Sequence, residues 1–162
     1  MMDAGARTVV ITGMLPLGCE PKLLAMFPDS PGDYDPASGC DARFNKLAAI
    51  HNRALKLMLR ELRLRYPGRS LVYADVYHPI IRAVTSPART PLVACCGGGG
   101  GPYNFNYAAF CGTPNSTTCE DPSQFVSWDG IHFTEAANEL MAHAVLRVLM
   151  STSAEELSSQ QA

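Results

Sequence analysis

Asp129 and His132 stand three residues apart in Trp128-Asp129-Gly130-Ile131-His132, just before a helix start expected at Thr134. At that spacing a carboxylate and an imidazole share one turn, and the carboxylate can fix the tautomer and orientation of the ring. The chemistry open to such a pair is general-base catalysis, as the acid–base part of a serine-hydrolase triad. The same residues could also be a structural hydrogen-bonded pair, since Asp is common just before helices. The third member of a triad is missing. No serine in the 162 residues has a nucleophile-like setting, and neither Gly-Asp-Ser nor Gly-x-Ser-x-Gly occurs.

Other chemistry-bearing residues give weaker signals. Cys19, Cys40, Cys95, Cys96, Cys111 and Cys119 form an even set in Gly- and Pro-rich sequence, the disulfide usage of oxidising compartments. Their connectivity is open, with Cys19–Cys40 the one expected bridge, because each flanks the loop between the first strand and its helix. Asn115-Ser116-Thr117 is an N-glycosylation sequon lying between Cys111 and Cys119. Zinc is not expected: Cys-x-x-Cys is absent, and adjacent Cys95-Cys96 makes poor ligand spacing with His78 or His132. The run Gly97 to Gly101 lacks the Lys-Ser/Thr ending of a phosphate loop and reads as backbone passing close to other backbone. Tyr103 to Tyr107 could line an acyl pocket or simply pack a loop. His51 and His143 fall on helices as packing or surface residues, and Asp75, at a strand end, reads as an anchor for the following loop.

These residues need elements to position them. Thr8 to Leu15 is a β-branched run without polar alternation, the pattern of a strand buried on both faces. Pro28 to Gly39 is a turn-rich loop. From Asp41 to Tyr66 the spacing becomes helical, with Phe44, Leu47, Ala48, His51, Ala54, Leu55, Met58 and Leu62 as the apolar stripe. Pro67-Gly68 ends it, and Leu71 to Tyr77 is a second buried strand. Strand, long helix, strand is a βαβ unit, which makes a parallel pair. Ile80 to Val84 is a short helix, Ser86 to Val126 a long irregular segment, and Thr134 caps a last helix whose inner face is Leu140, Met141, Ala144, Val145 and Val148. The loop entering that helix lies at the carboxyl end of the strands, where catalytic groups gather in open α/β sheets. Two parallel strands make an incomplete sheet, and the first would carry an exposed apolar edge.

Composition narrows the function classes. The chain is 47% hydrophobic and 17% charged with a formal net charge of −2, and its pI is about 6.0, so neither nucleic acid nor an anionic membrane is an expected partner. No run is long and apolar enough to span a bilayer, and Met1 to Arg7 has no signal-peptide core. Secretory-type cysteines without a leader are reconciled if an N-terminal segment has been lost.

Four stretches, TVVITGMLPLGCEP (Thr8–Pro21), VYADVY (Val72–Tyr77), CCGGGGGPYNFN (Cys95–Asn106) and WDGIHFTEAAN (Trp128–Asn138), follow one another in the order and approximate spacing of a known family. Over essentially the whole chain to about Met150, the sequence resembles the C-terminal half of plant GDSL esterase/lipases of the SGNH hydrolase superfamily. The resemblance implies an α/β protein: the C-terminal half of a flavodoxin-like three-layer α/β/α fold with its parallel sheet incomplete. It places residues 1–150 in that domain, while the polar, apolar-poor composition of 151–162 reads as a disordered tail. It further implies hydrolysis of small-molecule carboxylic esters or lipids, no cofactor or metal, and an extracellular or secretory location.

Carried over by position, His132 corresponds to the family's general base and Asp129 to its orienting acid. The family's serine lies in a Gly-Asp-Ser motif near the N-terminus and its oxyanion-hole Gly and Asn in two further blocks, none of which has a counterpart here. Phe133 stands where the family usually has Pro, and Ser86 to Pro91 is shorter than usual. The expectation is a chain that carries the base half of the site and is inactive alone. The alternative is a non-catalytic remnant that binds or pairs with another chain.

Overall fold

A computed structural model describes residues 1–28, 33–98 and 100–159. Asp29 to Gly32 of the turn-rich loop, Gly99 of the glycine run and Gln160 to Ala162 of the expected tail lie outside the described residues.

Strand β1 (Thr8–Thr12) leads through a 3-10 turn (Leu17–Cys19) into helix α1 (Pro21–Met26). Helix α2 (Ala42–Arg65) then crosses back to strand β2 (Ser70–Ala74), which pairs with β1 in parallel, Thr8 opposite Ser70 and Thr12 opposite Ala74. The crossover is thus the βαβ unit that the change of period predicts. Its helix starts where Asp41, buried and extended, accepts hydrogen bonds at Oδ1 from the backbone N–H groups of Arg43 (2.8 Å) and Phe44 (3.3 Å). Those are two of the donors that a helix start leaves without intrahelical partners.

Two expectations about this unit need correction. Strand β1 is not buried on both faces: Val9, Val10 and Ile11 are half-buried and both ends are exposed. Only β2 borders it among the described residues. The packed face of α2 is also rotated from the apolar stripe. Ala48, Asn52 and Leu59 are buried, whereas Leu47 and Met58 are about half exposed. The cause is Asn52, whose side chain closes both hydrogen-bonding groups of Met14: Oδ1 accepts from Met14 N–H (2.6 Å) and Nδ2 donates to Met14 C=O (2.9 Å). A buried amide with two backbone bonds outweighs the modest gain from turning one more aliphatic residue inward.

Helix α3 (Tyr77–Val84) follows, longer at its start than the Ile80–Val84 expectation. The stretch after Ser86, expected to be irregular, contains strands. Strand β3 (Thr90–Ala94) pairs in parallel with β6 (Phe125–Ser127), and β4 (Cys96–Gly97) makes a short antiparallel ladder with β5 (Thr117–Thr118). The β3–β6 register shifts between Thr90 and Ala94, beside Pro91, which has no N–H to give to a ladder. Helix α4 (Glu135–Ser159) packs through Ala137, Leu140 and Met141 against Ile80, Ala83 and Val84 of α3, Val126 of β6, and Cys19 and Cys40. It runs to Ser159. The result is a mixed α/β chain with small parallel sheets.

Candidate active site

Strand β6 ends at Ser127, and the next seven residues reverse the chain into α4. Thr134 governs the exit. It is buried, its N–H donates to Val126 C=O (3.1 Å), its hydroxyl donates to Phe125 C=O (2.7 Å), and the same oxygen caps Ala137 N–H (3.3 Å). Inside the turn, Trp128 N–H donates to His132 C=O (2.8 Å), and Ser127 Oγ accepts from Gly130 N–H (2.9 Å). Gly130 has φ +91°, and a Cβ there would lie 2.5 Å from Cδ2 of Phe105. Both the left-handed backbone and the aromatic ring require glycine.

This turn brings Asp129 and His132 together. Asp129 Oδ1 accepts from the N–H groups of Ile131 (2.9 Å) and His132 (2.7 Å), and Oδ2 lies 2.7 Å from His132 Nδ1. Burial opposes ionisation of Asp129, but the His132 backbone N–H, the imidazole and the Ile131 N–H outweigh it and hold the carboxyl below its ordinary value. An ionised carboxylate accepts a hydrogen bond from Nδ1–H, which leaves Nε2 as the acceptor of a neutral ring. The His132 side chain is 74% exposed, so Nε2 is accessible. Among the described residues no serine or threonine hydroxyl hydrogen-bonds the imidazole; Ser127 is committed to the backbone of the turn.

Two neighbouring segments hold the turn in place. Lys22 N–H, at the start of α1, donates to Gly130 C=O (3.1 Å). Glu20 lines a small cleft with Ile131 and His132, and burial raises its carboxyl pKa against the pull of Lys22, 3.7 Å away. On the other side, Cys95 N–H donates to Ser127 C=O (3.0 Å) and Cys96 N–H to Trp128 C=O (2.6 Å). The six cysteines form the disulfides Cys19–Cys40, Cys95–Cys119 and Cys96–Cys111. Within the loop they close, Gly97 lies so near Asn104 C=O that any Cβ would collide with it. Phe105 packs on Gly130, and Phe110 stands edge-on to both Phe105 (6.2 Å between centroids) and the exposed Tyr107 (5.6 Å). Asn115 is exposed on this loop with φ +70°.

The structure holds a second Asp–His pair, beyond the loop anchor that the sequence suggests for Asp75. Asp75 Oδ1 accepts from the N–H groups of Tyr77 (3.0 Å) and His78 (3.2 Å), while Oδ2 lies 2.6 Å from His78 Nδ1. Asp75 does anchor the loop, but it also orients an imidazole as Asp129 does. The signal was available: Asp-x-x-His occurs at 75–78 as well as at 129–132. His51 and His143 are exposed on α2 and α4, and His143 lies 3.9 Å from Glu139.

An acidic residue orienting an exposed imidazole, on a loop after a parallel strand, is an arrangement that acyl-transfer enzymes use. Comparison with known proteins bears on the family of the chain. The GDSL-like lipase/acylhydrolase family model matches residues 1–145. Two GDSL esterase/lipases of Arabidopsis thaliana are 40% and 42% identical over 152 residues, 90% of this chain and 38% and 41% of theirs. A sinapine esterase of Brassica napus is 38% identical over 152 residues, 90% of this chain and 39% of its own. The chain belongs to the GDSL-like lipase/acylhydrolase family, and it spans about two fifths of the length of these relatives.

Proposed function

We propose that this chain supplies the acid–base half of a carboxylic ester hydrolase site. The observation that carries the reading is the 2.7 Å contact between Asp129 Oδ2 and His132 Nδ1 beside an exposed Nε2. In that role His132 takes a proton from a serine hydroxyl as the oxygen attacks the ester carbonyl, then returns it to the leaving alcohol. Asp129 stabilises the imidazolium between the two steps. The substrates are small-molecule esters or lipids, as the names of the relatives suggest.

Acyl transfer also needs a nucleophile and oxyanion donors, which contribute much of the rate. The 162 residues contain no Gly-Asp-Ser and no Gly-x-Asn-Asp. The chain by itself is therefore expected to leave p-nitrophenyl butyrate unhydrolysed above the buffer rate. Joined to the remaining three fifths of an Arabidopsis relative, it should gain activity that His132→Ala lowers by about 10²–10⁴-fold. Equal rates for the joined protein with and without His132 would end the base assignment. Turnover by the 162 residues alone, lost in His132→Ala, would end the inactivity claim.

A second reading, a non-catalytic pairing module, rests on a separate observation. Leu47, Ile50, Leu57 and Leu64 are exposed along α2, and β1 is bordered only by β2 among the described residues. This reading predicts concentration-dependent association in sedimentation equilibrium. A monomer persisting at high protein concentration would dismiss it.

A further inference from the structure

Between α2 and the carboxyl end of β2 lies a groove of about 480 Å³, within the size range of small-molecule sites. It is distinct from the cleft beside His132: the two have no lining residue in common. Arg53, Lys56 and Arg60 line it from one flank of α2, at the three- and four-residue steps that put side chains on one helix face. None of the three forms a salt bridge among the described residues. The walls beneath them are apolar surface from Leu57 and the rings of Tyr73 and Tyr77, and Lys56 Nζ sits 4.6 Å from the Tyr73 ring centroid.

One carboxylate, Asp75, faces this groove, outnumbered by the three cations. Asp75 accepts from two backbone N–H groups and from His78 Nδ1, and its carboxyl is held below its ordinary value. Three cations with no carboxylate partner among the described residues, set over an apolar floor, select a ligand with an anionic head and an apolar body. We propose that the groove binds an amphiphilic monocarboxylate. Its head would lie between Arg53, Lys56 and Arg60, and its chain or ring along Tyr73 and Leu57. Such acids are what hydrolysis of an ester releases, and only that link to the chain's own chemistry rests on the function proposed above. Binding itself does not, because it needs no turnover.

The test is isothermal titration of the full chain with decanoate, decyltrimethylammonium and acetate, each below its micellar concentration. Decanoate should bind saturably at one site. The cationic amphiphile and acetate should each bind at least tenfold more weakly. The double substitution Lys56→Glu/Arg60→Glu, at exposed helix positions, should weaken decanoate at least tenfold while leaving the far-ultraviolet circular dichroism unchanged. Equal affinity for the two head groups, no saturable heat with decanoate, or an unchanged affinity in the double variant would each overturn the proposal. So would a double variant whose only change is loss of self-association, since that places a second copy in the groove. None of these outcomes bears on His132, which is read out by ester turnover instead.

Discussion

Asp129 makes its contacts only as a carboxylate, so its share of stability depends on pH. Its pKa is lowered in the folded chain. The stabilisation is therefore fully present above the unfolded-state value and is lost as pH falls through the lower folded-state value. Glu20 works in the opposite direction: its raised pKa means that its ionisation costs stability as pH rises from the unfolded to the folded value. Asp129→Ala should lower the stability by about 1–3 kcal/mol at neutral pH, through loss of charge-assisted hydrogen bonds. The difference from the parent should shrink in acid, and urea titrations at pH 7 and pH 3 measure both quantities. A gap of the same size at both pH values would mean that the charge of Asp129 contributes nothing. Gly130→Ala should cost a similar amount, about 1–3 kcal/mol, because it combines an unfavourable φ with a clash against Phe105. Asn115, exposed beside Ser116 and Thr117, is proposed to carry a glycan when the chain passes through a secretory pathway. A mass shift on peptide-N-glycosidase treatment, abolished by Asn115→Gln, is the outcome that fits.

The period of the apolar residues displays some elements of this chain and hides others. The βαβ unit was legible because a helical spacing between two β-branched runs has few other meanings. The facing of α2 was not. An amide scores as polar in any apolar stripe, and nothing local says that Asn52 meets Met14 across the crossover. Asn52→Leu should accordingly destabilise the chain by about 1–3 kcal/mol despite the added apolar surface, since it strands two part-buried backbone groups of Met14. A higher thermal midpoint in that variant would contradict the account. Strands β3 to β6 escaped for a related reason. They are two to five residues long, and one contains Pro91. Their order comes from disulfides and from long-range hydrogen bonds that no window of sequence displays. The Asp129–His132 pair was legible because both members lie in one turn. Its supports, Lys22 N–H and the Cys95 and Cys96 N–H groups, come from distant segments and were not.

For the molecule as a whole, crosslinks compensate for a modest core. The three disulfides span 21, 24 and 15 residues, separations for which each is worth about 3 kcal/mol in unfolded-chain entropy. Cys19–Cys40 also lies inside the apolar core cluster with Ile80, Val84 and Val126. Reduction should therefore unfold the chain at ambient temperature rather than merely loosen a surface loop. Loss of near-ultraviolet dichroism from Trp128, the one tryptophan, would report it.

The adjacency of Cys95 and Cys96 has a consequence for biogenesis. Their partners, Cys119 and Cys111, lie on the same loop, and exchanging them would satisfy every sulfur while slipping the backbone that donates to Ser127 and Trp128. A fully oxidised chain could then be conformationally wrong only around His132. Thiol counting would pass such an isomer, and disulfide isomerase would be needed to rescue it. Refolding yield should depend on a thiol shuffling catalyst far more than on the oxidant.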